Sequence, residues 1–146
     1  MRIAALRSDV VLPADLDALA FEQDTELILR VDGDAGYPRE GAQELLDAAL
    51  EARGHEPGSV ISLHGRPLLL LAIVHDLARD PSWREEWIAQ AYGGVCGAAL
   101  AHGARSLALP LLGTVHGRMD AARSRALLDA ALARCGARFH TVWLRG

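Results

Sequence analysis

Two glycines, Gly113 and Gly117, mark the part of the chain with the clearest capacity for ligand chemistry. They follow the apolar run Leu107 to Leu112, which favours an interior β-strand, and they precede a helix that we expect to begin near Asp120. Glycine lets the backbone bend so that successive N–H groups point at one anion, and the positive end of the helix would face the same place. The segment predicts a phosphate-binding turn, although an ordinary connection between a strand and a helix has the same pattern.

Polar side chains lie in or beside this turn. His116 would lie next to a phosphate bound there, which makes it the best candidate for a functional histidine. Arg118 could pair with the phosphate or face solvent, and both interpretations fit. Asp120 also has two interpretations, a group that orients water or simply the N-cap of the next helix.

His75 follows the aliphatic run Leu68 to Val74 and could be an acid or base, or a histidine whose hydrogen bonds are satisfied in the core. Cys96 and Cys135 fall at apolar positions of predicted helices, which favours buried free thiols over a disulfide. Four further histidines show no metal-ligand spacing: His55, His64, His102 and His140. We therefore predict neither a metal site nor a cofactor.

The composition limits the function classes. With 146 residues, 51% of them hydrophobic, the chain suits one domain, residues 1–146, with a core that needs no metal or disulfide. A net charge of −4 without a dense basic cluster argues against DNA or RNA as a partner. The longest apolar run is too short to cross a membrane and no signal peptide is evident, so we expect a cytoplasmic protein. All fifteen basic residues are Arg and there is no Asn, which excludes every mechanism that needs Lys or Asn.

Apolar periodicity places strands and helices in alternation through the C-terminal two thirds of the chain. A polar set, Glu22 to Asp24, is expected to separate the second and third strands, and Ser82 with Glu85 fits a capping box. We predict an α/β fold, a three-layer α/β/α domain with a central mixed sheet. Its strands are Arg2–Leu6, Leu16–Ala20, Glu26–Val31, Val60–Leu63, Leu68–His75, Leu107–Leu112 and Phe139–Leu144, and its helices run from Pro38 to Gly54, Trp83 to Ala101 and Asp120 to Cys135.

Several short motifs occur in an order that resembles the macro domain, a fold that typically binds ADP-ribose. Leu71 to His75 is similar to the family's strand that ends in Ile-His or Val-His, and Gln90 to Tyr92 with Ala98 to Leu100 is similar to the helix after it. Leu107 to Thr114 looks like the family's strand and phosphate loop, which often reads Phe-Pro-Ala-Leu-Gly-Thr-Gly. The resemblance extends from about Gly58 to the end of the chain.

The N-terminal half departs from the family pattern. Asp9-Val10-Val11 stands for the Gly-Asp-Ile motif, whose Asp recognises the adenine amino group, but Ser8 replaces the Gly. Where many hydrolytic macro domains carry an Asn beside the distal ribose, this chain has Phe21-Glu22-Gln23. The first phosphate loop is reduced to Gly33-Asp34-Ala35-Gly36, and its carboxylate would weaken the binding of a pyrophosphate. In the second loop Val115 replaces a usual Gly and would reshape the group of N–H donors.

The resemblance implies weak or absent hydrolysis and a ligand of the ADP-ribose class, that is, ADP-ribose or a related nucleoside diphosphate. Any catalysis would be ADP-ribosyl hydrolysis, with His116, Asp34 and Asp120 as the candidates to orient water. The alternative is a protein-interaction module that has lost the nucleotide site, since the N-terminal domain of leucine aminopeptidases shares the fold without being the catalytic part. The implied ligand-binding residues are Asp9, Gly33, Asp34, Gly36, Gly113, Thr114, His116, Gly117 and Arg118.

Gly113 provides an expectation about both nucleotide binding and stability. We expect Gly113→Val to abolish nucleotide binding at little cost to the fold, because a Cβ there would obstruct the approach of phosphate to the backbone.

Asp9→Ala should weaken the binding of adenine nucleotides selectively, because the Asp9 carboxylate would accept a hydrogen bond from the exocyclic amine of adenine. Titration calorimetry with ADP-ribose and with its guanine counterpart checks this prediction. An equal loss of affinity for both nucleotides would remove Asp9 from adenine recognition.

Overall fold

Six strands and two helices make up residues 1–7, 9–27, 29, 55–135 and 138–146, which are the residues that the computed structural model describes. The predicted helix from Pro38 to Gly54 lies outside the described residues. The elements, in chain order, are β1 (Arg2–Leu6), β2 (Ala18–Asp24), β3 (Val60–Leu63), β4 (Leu68–His75), α1 (Glu85–Ala101), β5 (Ser106–Pro110), α2 (Ala121–Arg134) and β6 (Thr141–Arg145).

The strands form one mixed sheet in the order β1-β6-β5-β2-β4-β3. Neighbouring strands are parallel except β3, which runs antiparallel to β4 at the margin. The central mixed sheet expected from the sequence is confirmed. Its parallel strands place the carboxyl ends of β1, β2, β4, β5 and β6 at a common edge.

Strand β4 shows how the sheet is buried on both faces. Leu68, Leu70, Ala72 and Val74 pack in one cluster with residues of α1 and α2, among them Ile88, Tyr92 and Leu128. The intervening Leu69, Leu71 and Ile73 belong to a second cluster with Leu19 and Phe21 of β2. Successive side chains of a strand point to opposite faces, so an unbroken aliphatic run fits only a strand that is covered on both sides.

Strand β2 is longer than the sequence predicts. Glu22, Gln23 and Asp24, expected as a polar link between two strands, are its last residues and are at most 2% exposed. The predicted strand Glu26–Val31 is wrong at its described positions, since residues 25–27 form a turn in which Leu27 has a positive φ of 59°. Polar side chains can end a buried strand when the tertiary fold supplies hydrogen-bond partners, and local sequence does not show those partners.

The predicted capping box at Ser82 is also absent. Helix α1 begins at Glu85 with Arg84 as its N-cap, and no side chain caps it. The Ser82 hydroxyl instead lies 2.8 Å from Nδ1 of His75. This serine therefore serves the end of β4 rather than the helix.

A buried hydrogen-bond network joins both helices to the segment after β5. The backbone N–H of Leu112 donates to the Tyr92 hydroxyl at 2.7 Å, and the Ser124 hydroxyl donates to the Leu112 carbonyl at 2.6 Å. Since that bond uses the Ser124 proton, Tyr92 donates to Ser124 Oγ across 2.7 Å. Both polar groups of Leu112 are thereby held, and the backbone that enters Gly113 is anchored to α1 and α2.

Tyr92→Phe should lower the free energy of unfolding by about 1 to 3 kcal/mol, because it leaves the Leu112 N–H buried without its acceptor. Burial raises the pKa of Tyr92 to about 12. Between pH 10 and 12 the unfolded chain therefore releases a proton that the folded chain retains, so Tyr92 stabilises less as pH rises. Urea unfolding at pH 8 and pH 11 should show that the gap between wild type and variant narrows at the higher pH.

Glu85→Gln is the matched control, because it breaks an exposed ion pair with Arg123 that joins the same two helices. It should lower the free energy of unfolding much less than Tyr92→Phe does, because exposed ion pairs contribute little to stability. An equal loss in the two variants would contradict the importance of the buried network.

Candidate functional site

Strand connections diverge at the carboxyl edge of the sheet, and we refer to the position between the diverging strands as the crevice. From β5 the chain continues through α2 to β6 on one side, whereas β4 lies on the other side of β2. Ligands of open α/β sheets bind at such a switch point, outside the carboxyl ends of the strands. The junction of β2 and β5 is therefore the expected position of a site.

The two strands separate towards this edge. The β2–β5 ladder consists of Ala18 with Leu107 and Leu19 with Ala108, whereas β2 continues to pair with β4 as far as Asp24 with His75. Residues 111–120, which follow β5, reach across the gap that this divergence leaves.

The side chain of Glu22 fills the gap. Its Oε1 accepts a hydrogen bond from the Gly113 N–H at 2.6 Å, and its Oε2 accepts one from the His116 N–H at 2.8 Å. Nε2 of His75 lies 2.6 Å from the same Oε2. Glu22 is 2% exposed, so the backbone donors of the predicted phosphate-binding turn meet a buried carboxylate of the same chain.

His75 is a satisfied core histidine, the second of its two interpretations. The ring is fully buried, with Nε2 against Glu22 and Nδ1 against the Ser82 hydroxyl. Both ring nitrogens are thus engaged, which leaves neither to act on a ligand.

Gly113 and Gly117 are required by packing inside the chain. Gly113 has a φ of +87°, and a Cβ there would lie 3.0 Å from Sδ of Met119 and 3.2 Å from Cδ1 of Ile88. A Cβ on Gly117 would lie 2.7 Å from Cδ1 of Trp83 and 2.5 Å from the Gly113 carbonyl oxygen. The expectation that Gly113→Val costs the fold little is wrong, because the position is both strained for an L-residue and crowded.

The other residues of the second loop lie near its surface. The Thr114 hydroxyl donates to the Leu111 carbonyl at 2.6 Å. His116 and Arg118 are exposed, and the His116 ring centroid lies 6.4 Å from that of His75. Val115 is 54% exposed.

Asp120 is the N-cap of α2. Its Oδ2 accepts a hydrogen bond from the Arg123 N–H at 3.0 Å. This capping role is the simpler of the two interpretations that its position allowed.

The first phosphate loop, with Gly33, Asp34 and Gly36, lies outside the described residues. Asp9 follows β1 at the carboxyl edge, is exposed and pairs with Arg7 at 2.8 Å. Since β1 is three strands from β2, the ends of these two strands lie roughly 14 Å apart at this edge. Ligand binding by Asp9 and by the second-loop residues stays a prediction.

Gln23 and Asp24 tie down the chain that leaves β2. Oδ1 and Oδ2 of Asp24 accept hydrogen bonds from the N–H groups of Glu26 and Leu29, each at 2.7 Å. The Gln23 amide donates to the Leu29 carbonyl at 3.2 Å and accepts from the Asp24 N–H at 3.0 Å. The Gln23 amide is thus bonded to the backbone of Asp24 and Leu29.

Glu22 is the residue that sequence reasoning missed. The available signal was three polar residues that follow an apolar run without a Gly or Pro to end the strand. Its meaning depends on partners 53, 91 and 94 positions away, which only the fold brings together.

A cavity of about 560 Å³ lies at the opposite edge, where β2 and β4 begin. Asp15, Arg66 and His102 contribute to its lining, as does Asp17. Oδ2 of Asp17 accepts hydrogen bonds from the N–H groups of Arg105 and Ser106 at 2.8 and 3.1 Å. These two hydrogen bonds join the start of β2 to the start of β5. This cavity is separate from the predicted site.

Two classes of feature are absent from the described part of the chain. No group of three or more His, Cys, Asp or Glu side chains there could hold a metal ion. Nor does any helix within those residues have the length and apolar character needed to span a membrane.

Neither a protein-family model nor a curated protein sequence matches this chain. Solved structures do. The macrodomain of Thermus aquaticus DarG has a TM-score of 0.76 at 18% identity, with 99% of this chain and 97% of that one covered. The chain has the macrodomain fold.

Further macrodomains give the same result. A macrodomain of Oceanobacillus iheyensis has a TM-score of 0.72 at 13% identity, with 97% and 81% covered. A macrodomain protein of Streptomyces coelicolor has a TM-score of 0.68 at 20% identity and 99% of both chains covered. At these identities the likeness establishes the fold, and the ligand must be argued from the residues of the site.

Gly113→Ala should lower the free energy of unfolding by about 1 to 3 kcal/mol, because alanine pays for a positive φ and meets Met119 and Ile88. Gly97→Ala is the matched control, because Gly97 lies on an exposed face of α1 and a Cβ added there would meet no atom within 4 Å. That control should stabilise by about 0.5 to 1 kcal/mol. Urea unfolding of both variants checks the prediction, and equal effects would show that Gly113 is not conformationally required.

Proposed function

We propose that this chain is a macro-type ligand-binding domain without ADP-ribosyl hydrolase activity, whose ligand class is ADP-ribose or a related nucleoside diphosphate, bound weakly. The observation that carries the proposal is the engagement of Glu22. Its carboxylate lies at the centre of the expected site and accepts three N–H donors of the protein.

The acid and base candidates of the crevice support the absence of hydrolysis. A general base must reach the attacking water by hydrogen bond. Glu22 is buried with both oxygens occupied, His75 has both ring nitrogens engaged, and Asp120 caps α2. The chain also has no Asn, whose amide in hydrolytic macro domains holds the ribose and water in register, a positioning effect worth several kcal/mol. His116 remains as an exposed imidazole at the mouth.

Electrostatics supports weak binding of a diphosphate. A phosphate that approached the Gly113 and His116 N–H groups would come close to the Glu22 carboxylate. Two like unit charges about 4 Å apart repel by about 4 kcal/mol at an effective dielectric constant of about 20. Arg118 is exposed beside the loop and could offset part of this repulsion at a more distant phosphate position.

A protein-interaction module is the second candidate, and one observation favours it. Large hydrophobic side chains are exposed in loops that follow strands at this same edge: Val10 at 41% and Val11 at 85% after β1, Leu77 at 45% after β4, and Val115 at 54% after β5. Exposed apolar side chains grouped at one edge are typical of surfaces that bind other proteins.

The purified protein should hydrolyse ADP-ribosylated protein or O-acetyl-ADP-ribose far more slowly than an active macrodomain assayed beside it. ADP-ribose should still stabilise the protein in a thermal-shift assay. At a hundredfold excess over the dissociation constant, the free energy of unfolding should rise by about 2.7 kcal/mol. The matched variant is His116→Ala, which changes the exposed imidazole at the mouth of the crevice.

Two results would contradict the proposal in different ways. Turnover comparable to the active macrodomain, abolished in His116→Ala or Asp34→Ala, would show that a different group catalyses hydrolysis on this fold. No response to ADP-ribose at any concentration would favour the interaction module.

A further inference from the structure

The three N–H donors around Glu22 have the geometry of an anion-binding site. Gly113 and His116 donate from the backbone to the two oxygens of one carboxylate over 2.6 and 2.8 Å, and Nε2 of His75 lies 2.6 Å from one of these oxygens. Because an ionised carboxylate can only accept, we assign the proton of this contact to Nε2. Hydrogen bonds of N–H groups to an ionised acceptor are short and are roughly twice as strong as those between neutral groups. The site differs from a ligand site in one respect, because its anion is covalently part of strand β2.

Contacts that do not involve Glu22 hold each donor in place. The Tyr92 hydroxyl fixes the Leu112 N–H, so the backbone that enters Gly113 is anchored to α1. The Met119 N–H donates to the Gly113 carbonyl at 3.2 Å, which closes the loop beyond His116. His75 is fixed through Ser82 Oγ and through the ladder of β4 with β2. The donors therefore remain convergent when the carboxylate is removed.

We propose that Glu22 is the resident anion of this site and determines its specificity: its carboxylate excludes external phosphate from the Gly113 and His116 donors. Without that side chain the same donors bind a small carboxylate. The position is nearly sealed, with Glu22 2% exposed and His75 0% exposed, so it accepts an anion of about the volume that Glu22 leaves and no larger one. The inference goes beyond the proposed function, since it holds whether or not the protein binds ADP-ribose.

Acetate is the matched probe, because Glu22→Ala removes the two carbons and two oxygens that acetate contains. Glu22→Ala should melt at least about 10 °C below wild type, since three buried donors lose their acceptor. Acetate should raise its Tm in proportion to the logarithm of its concentration above the dissociation constant, by about 4 °C at a tenfold excess, and formate should act more weakly. Butyrate at equal ionic strength should not raise the Tm of Glu22→Ala, because it is larger than the space that Glu22 leaves. Sodium chloride at equal ionic strength is the control for a general effect of salt and should not raise the Tm either.

Wild type and Glu86→Ala are the controls. Glu86 is exposed on α1, so its removal leaves no enclosed site for acetate. Equal acetate responses in Glu22→Ala and in these controls would overturn the proposal. In wild type, the amide resonances of Gly113 and His116 should not shift with inorganic phosphate up to about 100-fold molar excess, and a saturable shift of both would also overturn it.

Glu22→Gln keeps the test decisive if Glu22→Ala does not fold. The carboxamide has nearly the shape of the carboxylate but presents an NH₂ group to at least one of the three donors. We expect a Tm several degrees below wild type and faster hydrogen exchange at Gly113 and His116. A Glu22→Gln protein with wild-type Tm and exchange would show that the shape of Glu22, and not its charge, is what the site requires.

Discussion

The buried contact of the Glu22 carboxylate with Gly113, His116 and His75 is the interaction on which the rest of this site depends. An unpaired carboxylate could not remain in a site this enclosed, because removing its charge from water is costly. The three donors supply the compensation, and they come from two elements besides β2. The contact therefore joins β2, the end of β4 and the loop after β5 into one unit at the carboxyl edge.

The same contact changes what the macrodomain fold can do here. The fold places a glycine-containing loop at a switch point of the sheet, and such loops offer N–H groups to anions. In this chain Glu22 accepts hydrogen bonds from those groups, so they are satisfied without a ligand. The engagement of the surrounding acid and base groups is the reason that we propose a binding or interaction role rather than hydrolysis.

Most of the fold could be predicted because its strands are marked by short, strongly apolar stretches of sequence. The strand Leu68–His75 was expected from its aliphatic run, and it is β4, with both faces covered. Helix α2 was placed correctly from Asp120 because its cap is a local hydrogen bond to Arg123. The predicted strand Glu26–Val31 is wrong at its described positions, because the Asp24 side chain accepts hydrogen bonds from the N–H groups of Glu26 and Leu29 and so turns the chain.

The sequence by itself determined the alternation of strands and helices and the absence of Lys and Asn chemistry, and it favoured a turn between Gly113 and Gly117 whose N–H groups point at one anion. Each of these follows from residue types and from spacings of a few positions. Only the tertiary structure decided which anion the turn holds. Glu22 lies 91 residues before Gly113, and the pairing of β2 with β4 and β5 brings the two together. No local pattern encodes that distance, because it depends on the order of strands in the sheet.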